Sequence, residues 1–77
     1  MTMKSLIEYI AKSIVDDPTQ VAVEESLERG RIRLHLTVAD EDMGRVIGRG
    51  GRVANAMRAL LRVSAAKQGT KASLDIQ

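Results

Sequence analysis

Three glycines and an arginine occupy four consecutive positions, Gly48 to Gly51, in a chain of 77 residues. Glycine has no Cβ to hold a ligand away from the main chain, and it adopts positive φ angles that other residues avoid. Arg49 places a permanent positive charge within this run, and Arg45 and Arg52 lie just before and after it. Residues of these types at this spacing are suited to binding the phosphate groups of an anionic polymer.

The glycine run lies between two segments with helical periodicity. The first is a short helix whose inward face is predicted to carry Met43, Val46 and Ile47. Its predicted N-cap is Asp40, and Glu41 and Asp42 favour the positive end of its dipole. The second helix begins directly after the turn, so its unpaired N–H groups and the positive end of its dipole point into the gap. One face of it carries Val53, Ala56, Met57, Leu60, Leu61 and Ser64, and Arg52, Asn55, Arg58 and Arg62 lie on or near the opposite side.

The formal net charge of +2 hides an uneven distribution. Residues 1–42 carry 5 basic and 9 acidic side chains, whereas residues 43–77 carry 7 basic and 1 acidic side chain. Arginines of this kind often do no more than solvate a helix face. Here they surround the glycine turn, which favours a binding surface for a polyanion.

A helix is also predicted near the start of the chain. Its apolar stripe consists of Leu6, Ile7, Ile10, Ala11, Ile14 and Val15. A capping box of Ser5 and Glu8 is predicted to begin it, with Thr2 as the competing cap. Pro18 ends it, because the residue before a proline is displaced from helical geometry.

Three segments alternate with the period of two that is typical of strands. Val21, Val23 and Leu27 mark the first, and Arg29 and Gly30 supply a turn to the second, in which Ile32, Leu34, Leu36 and Val38 share one face. Gly69 is predicted to follow the long helix as its C′ residue, and Ala72, Leu74 and Ile76 mark the last strand. The predicted order is α-β-β-α-α-β. We expect one α+β domain over residues 1–77, a three-stranded sheet with helices packed on one face.

Composition narrows the classes of function. The chain has no cysteine, no run of about 18 apolar residues and no signal-peptide pattern at its start, so a cytoplasmic protein without a membrane span is expected. Its one aromatic residue cannot build the stacking platforms on which many single-strand binders depend. His35 is the only histidine, the residue type best suited to acid–base catalysis, and it is predicted to be a surface residue of a strand. No enzymatic activity, cofactor or metal is predicted. Capping explains Asp40, Glu41 and Asp42 more simply than a metal site.

The segment Val46-Ile47-Gly48-Arg49-Gly50-Gly51-Arg52 resembles the V-I-G-x-x-G-R signature of the KH RNA-binding domain, and the element order resembles its bacterial type II form. The small size, the break at Asp16-Asp17-Pro18 and the approach Asp42-Met43-Gly44 resemble the stand-alone bacterial KH proteins of the KhpA family. The family commonly has lysine and then a polar residue at the two variable positions. Arg49 and Gly50 stand there in this chain.

The resemblance implies an RNA-binding protein that acts on many transcripts as a broad regulator or RNA chaperone. It also implies dimerisation, as a homodimer or with a larger KH-containing partner of the KhpB (Jag) type. A KH loop clamps the backbone of about four nucleotides and turns the bases into an apolar groove. The predicted RNA-binding residues are Arg45, Ile47, Gly48, Arg49, Gly50, Gly51 and Arg52, with Ile47 either lining the groove or belonging to the core.

Two alternatives remain from the sequence. A helix-turn-helix protein would place the helix from Arg52 to Lys67 in the major groove of duplex DNA, with Arg52, Asn55, Arg58 and Arg62 as base readers. A module that chiefly binds other proteins or itself would carry its basic surface incidentally. The helix-turn-helix alternative explains neither the predicted β-hairpin nor the number of glycines in the turn.

Overall fold

The computed structural model describes residues 2–77, and the main elements follow the predicted order. The helices are α1 (Met3–Ile14), α2 (Met43–Ile47) and α3 (Arg52–Lys67), and the strands are β1 (Ala22–Glu28), β2 (Arg31–Thr37) and β3 (Lys71–Ile76). Short 3₁₀ turns occupy Pro18–Gln20, Asp40–Asp42 and Arg49–Gly51. The predicted α+β class is confirmed. No helix within residues 2–77 is both long enough and apolar enough to cross a membrane.

The three strands form one mixed sheet in the order β1-β2-β3. β1 and β2 are antiparallel and joined by Arg29 and Gly30, whose φ angles of 52° and 76° suit a two-residue hairpin turn. β3 is parallel to β2, because the chain crosses over through α2 and α3 before returning to the sheet. The glycine run therefore lies within the crossover, between its two helices.

The core lies between the helices and one face of the sheet. Leu34 and Leu36 of β2 are fully buried, whereas Arg31, Arg33 and Thr37 between and beside them are exposed. All three helices contribute to the same apolar cluster, which comprises Met3, Ile7, Ala11, Val23, Leu34, Leu36, Val38, Val46, Met57, Leu61, Ala65 and Leu74. The predicted arrangement of helices on one face is thus confirmed.

The start of α1 differs from the predicted capping box. Thr2 is the N-cap, and its hydroxyl oxygen accepts a hydrogen bond from the Ser5 N–H at 3.0 Å. Ser5 is already inside the helix, where its hydroxyl donates to the Thr2 carbonyl at 3.0 Å. Thr2, the competing cap, is therefore the correct one. Both residues fit the same local pattern, but capping at Thr2 adds almost a turn to the helix, and this turn buries Met3.

The buried face of α3 is also rotated from the predicted one. Ala54, Met57, Leu61 and Ala65 are the buried residues, while Ala56 is exposed and the Leu60 side chain is 51% exposed. Apolar residues occur on several sides of this helix, so periodicity alone does not identify the core face. The end of α3 is as predicted: Gly69 has a φ of 70°, and the Thr70 N–H donates to the Ala65 carbonyl at 3.0 Å.

Candidate functional site

The glycine run forms a single tight turn between α2 and α3. Gly48 has φ 77° and ψ 169°, a region of backbone space that is essentially restricted to glycine. Gly50 (φ 63°, ψ 18°) and Gly51 (φ 82°, ψ 14°) lie in the left-handed region. The conformation of this loop thus requires the glycines that the sequence places there.

Gly48 and Gly50 have different surroundings. A Cβ on Gly48 would lie 2.6 Å from Val53 Cγ2 and 2.8 Å from the Val53 nitrogen, so the loop packs directly on the first turn of α3. A Cβ on Gly50 would meet nothing within 4 Å. The loop therefore has a base held against α3 and an open tip.

The N-terminus of α3 faces this loop without a side-chain cap. The Gly51 N–H donates to the Gly48 carbonyl at 3.1 Å, and the Arg52 N–H donates to the Arg49 carbonyl. The N–H groups that follow in the first turn of a helix have no partner within it. Together with the positive end of the helix dipole, these groups make the space before α3 favourable for an anion.

The arginines around the loop differ in their contacts. Arg49 and Arg52 are exposed, and neither takes part in an ion pair within residues 2–77. Arg45 is paired instead, with its Nη2 3.2 Å from Asp16 Oδ2 in the connection after α1. The site thus has two guanidinium groups ready for an anion and a third that is shared with an exposed carboxylate.

Ile47 lies at the C-terminal end of α2, immediately before the loop. Its side chain is half-buried, and in the part of the chain that the structure describes it is not among the residues packed against the core cluster. Val46, its neighbour, is fully buried in that cluster. Ile47 therefore presents an aliphatic surface beside the loop.

Asp42 has a structural role that the sequence did not predict. It is 1% exposed, and its two carboxylate oxygens accept hydrogen bonds from the Asp16 and Asp17 N–H groups, each at 3.0 Å. The prediction that Asp40 caps the short helix is wrong, since Ala39 is the N-cap of the turn before it and no side chain caps α2. Asp42 instead fixes the start of α2 to the segment after α1, because a buried carboxylate needs donors.

A row of polar side chains continues from the loop along α3. A Cβ on Gly51 would lie 3.6 Å from Asn55 Nδ2, so Asn55 borders the loop. Arg58 Nη1 donates to Asn55 Oδ1 at 3.4 Å, and Arg58 Nε donates to the Leu74 carbonyl of β3 at 3.2 Å. Asn55 and Arg58 therefore lie on the side of α3 that faces β3.

The outer face of the sheet carries a large open depression in which one of the three arginines, Arg33, is paired with carboxylates. The depression has a volume of about 830 Å³ and borders Glu28, Arg29, Arg31, Arg33 and Ser73. Arg33 lies 3.2 Å from Glu28 and 3.0 Å from Asp75, so its charge is neutralised. On the same face, His35 Nε2 is 2.6 Å from Gln77 Oε1. No group of metal-ligating side chains occurs within residues 2–77.

The sequence that forms this site matches a family of known proteins. Residues 4–76 match the family model described as KhpA/KhpB, KH domain. The chain belongs to this family. The predicted resemblance is therefore confirmed, and the match includes the turn and both helices that flank it.

Relatives from several bacteria support the family assignment. The RNA-binding protein KhpA of Clostridium perfringens is 47% identical over 74 residues, covering 96% of this chain and 99% of the relative. KhpA of Treponema pallidum is 47% identical over 73 residues, covering 95% and 91%. KhpA of Chlamydia trachomatis is 40% identical over 74 residues, covering 96% and 95%. Each of these relatives is named as an RNA-binding protein.

A solved structure has a similar fold. A crystal structure of Era from Aquifex aeolicus superposes with a TM-score of 0.65 over 96% of this chain and 29% of the Era chain. The two sequences are 16% identical, so the likeness concerns the fold alone.

Proposed function

We propose that this protein binds single-stranded RNA by clamping the sugar-phosphate backbone with the loop from Gly48 to Gly51. The observation that carries the proposal is the turn of three positive-φ glycines, exposed at its tip, directly before the uncapped N-terminus of α3. Within residues 2–77, Arg49 of this turn takes part in no ion pair. The names of the relatives, RNA-binding protein KhpA, support the same ligand.

The proposed mechanism assigns a role to each element of the site. The bare backbone at Gly50 lets phosphate oxygens approach main-chain N–H groups, and Arg49 and Arg52 supply charge from either side of the loop. Ile47 offers an aliphatic wall against which bases of about four nucleotides can lie. Arg45 contributes less, because binding a phosphate means giving up part of its ion pair with Asp16.

The test replaces Arg49 and Gly50 by aspartate. Gly50 has open space for a side chain, and aspartate is among the residues that tolerate left-handed geometry, so the fold is expected to persist. Two carboxylates at the tip should repel phosphate and reduce affinity for a single-stranded oligoribonucleotide at least 100-fold. Fluorescence anisotropy measures the binding, and circular dichroism measures the helix content.

A control variant separates the effect of the loop from the effect of net charge. Lys4 and Lys12 are exposed on α1, and replacing both by glutamate lowers the net charge by four, compared with three for the loop variant. We expect this control to bind within a few-fold of the unmodified protein. Equal affinity of the loop variant and the unmodified protein at moderate salt would exclude the loop as the clamp.

We further propose that the protein acts as a dimer, either with itself or with a KH-containing partner of the KhpB type, in a broad post-transcriptional or RNA-chaperone role. Leu60 and Val63 on the flank of α3 are 51% and 56% exposed, and Ala56 beside them is exposed too. An apolar stripe of this kind supports pairing through α3. Two linked modules would hold a longer strand through effective concentration.

The duplex-DNA alternative receives less support from the geometry. Of the four side chains that would read bases, Arg58 is bound to the Leu74 carbonyl and to Asn55. Direct competition between a single-stranded oligoribonucleotide and duplex DNA of equal length separates the two functions. Preference for the duplex at the same salt concentration would favour the helix-turn-helix reading.

A further inference from the structure

A second group of cations lies at the end of α3 remote from the glycine loop. Arg62 belongs to the last turns of α3, Lys71 begins β3, and Arg31 begins β2. Arg31 and Lys71 are register partners in adjacent parallel strands, and all three side chains are exposed. This group is called the distal cluster below.

The distal cluster borders two neighbouring depressions between α3 and β3, which share Arg31, Arg62 and Ala72 as lining residues. Arg31, Arg62 and Lys71 line one of about 420 Å³, together with Ala65, Ala66, Thr70 and Ala72. Arg31 and Arg62 also line the other, of about 220 Å³, where Arg58 joins them. No carboxylate within residues 2–77 borders either depression, and beside the cations the walls carry small side chains and, in the smaller depression, Leu61 and Leu74.

The positive charges of the distal cluster are not neutralised within the protein. No ion pair within residues 2–77 involves Arg31, Arg62 or Lys71. Glu28 borders the neighbouring outer depression together with Arg31, but its carboxylate is 3.2 Å from Arg33. Like charges on neighbouring strands repel each other, so placing Arg31 beside Lys71 is unfavourable in the free protein. A bound anion would remove this repulsion.

Polar side chains connect the loop with the distal cluster. Asn55, Arg58 and Arg62 are spaced by three and four residues, which places them along one side of a helix. Asn55 borders Gly51, Arg58 touches Asn55, and Arg58 and Arg62 share a depression. At 1.5 Å per residue, the 11 residues from Gly51 to Arg62 span about 17 Å. The row of Asn55, Arg58 and Arg62 is thus a continuous polar surface, and it runs on the opposite side of α3 from Leu60.

We propose that the distal cluster is a second backbone-binding site that receives phosphates of the same RNA strand beyond the nucleotides held by the loop. This inference rests on the proposed function, since it extends the path of an RNA already clamped at Gly48 to Gly51. The ligand groups are phosphodiesters, bound by two guanidinium groups and one ammonium without base recognition. The protein then binds strands longer than four nucleotides more tightly than one KH loop allows.

The test compares unstructured oligouridylates of four and ten nucleotides on the unmodified protein and on the variant Arg62→Gln with Lys71→Gln. We expect the variant to bind the tetranucleotide as the unmodified protein does and to bind the decanucleotide about tenfold more weakly. The additional binding registers on a longer strand favour both proteins equally, so the ratio of their affinities isolates the distal cluster.

Salt dependence provides an independent readout. Losing two phosphate contacts on a single strand should make the slope of log K against log salt shallower by about 1.4 for the decanucleotide, with no change for the tetranucleotide. The melting temperature of the variant should equal or exceed that of the unmodified protein, because repulsion between Arg31 and Lys71 is relieved. A purely structural role would lower the melting temperature instead.

The control variant Lys4→Gln with Lys12→Gln removes two positive charges from α1 instead. It should retain the full increase in affinity from the tetranucleotide to the decanucleotide. The proposal is overturned if Arg62→Gln with Lys71→Gln keeps that increase in affinity, or if it weakens the binding of both oligonucleotides by the same factor. If the loop variant with aspartate at positions 49 and 50 still binds the tetranucleotide, the proposed function itself fails. The two failures are therefore distinguishable.

Discussion

Two glycines of the same loop are expected to respond differently to alanine. At Gly48 the added Cβ would overlap Val53, and the backbone conformation is nearly restricted to glycine, so Gly48→Ala should lower the free energy of unfolding by about 2–4 kcal/mol. At Gly50 only the left-handed conformation is unfavourable, at about 1 kcal/mol. Urea denaturation of both variants measures the difference. Equal losses would show that contact with Val53 does not determine the requirement for glycine.

Asp42 is expected to be the most important polar side chain for stability. Asp42→Ala removes an acceptor from two backbone N–H groups and leaves a small void, so a loss of about 2–3 kcal/mol is expected in urea denaturation. Asp42→Asn keeps one acceptor oxygen, so its stability should lie between those of the unmodified protein and Asp42→Ala. Glu41→Ala, at the exposed neighbouring position, is the control and should change stability by less than about 0.5 kcal/mol. If Glu41→Ala lost as much stability as Asp42→Ala, the effect would come from local helix propensity and not from the buried hydrogen bonds.

Two adjacent leucines of α3 are expected to distinguish folding from the proposed dimerisation. Leu61 is 1% exposed, so Leu61→Ala should cost about 2–5 kcal/mol of stability. Leu60→Lys should leave the stability of the monomer almost unchanged, because half of this side chain is already exposed, while it shifts the protein to monomers in sedimentation velocity. A dimer that persists with lysine at position 60 would place the pairing surface elsewhere.

The buried face of α3 could not be predicted from the sequence, whereas that of β2 could. Strict alternation along β2 identified its buried residues, because arginine, histidine and threonine fill the other face. In α3 alanine and aliphatic residues occur on several sides, and the buried face includes the small Ala54 and Ala65 rather than the larger Leu60. Asp42 escaped prediction for another reason: its partners are 25 and 26 residues away in sequence.

At the scale of the whole molecule, binding should depend steeply on salt. If the loop site neutralises about four phosphates of a single strand, the slope of log K against log salt is near −3, and a fourfold rise in salt weakens binding about 50-fold. Titrations of a tetranucleotide by fluorescence anisotropy at several salt concentrations measure the slope. The variant with glutamate at positions 4 and 12 should keep the same slope, since both lysines lie on α1, outside the proposed site. A slope near zero would mean that phosphates are not the main contact.

The order of elements was predictable at this scale because each boundary carries a local signal, such as Pro18, the Arg29-Gly30 turn and Gly69. The loop was predictable for the same reason, since its glycines are adjacent in sequence. The continuation of the basic surface toward Arg31 was not predictable, because Arg31 and Arg62 are far apart in sequence and border the same depression only in the folded chain.

β3 is an edge strand, and strand edges of this kind can recruit the backbone of a neighbouring chain. The guanidinium of Arg58 occupies the Leu74 carbonyl on this strand. A bulky cation in that position obstructs the addition of a further strand and so protects a small sheet against aggregation.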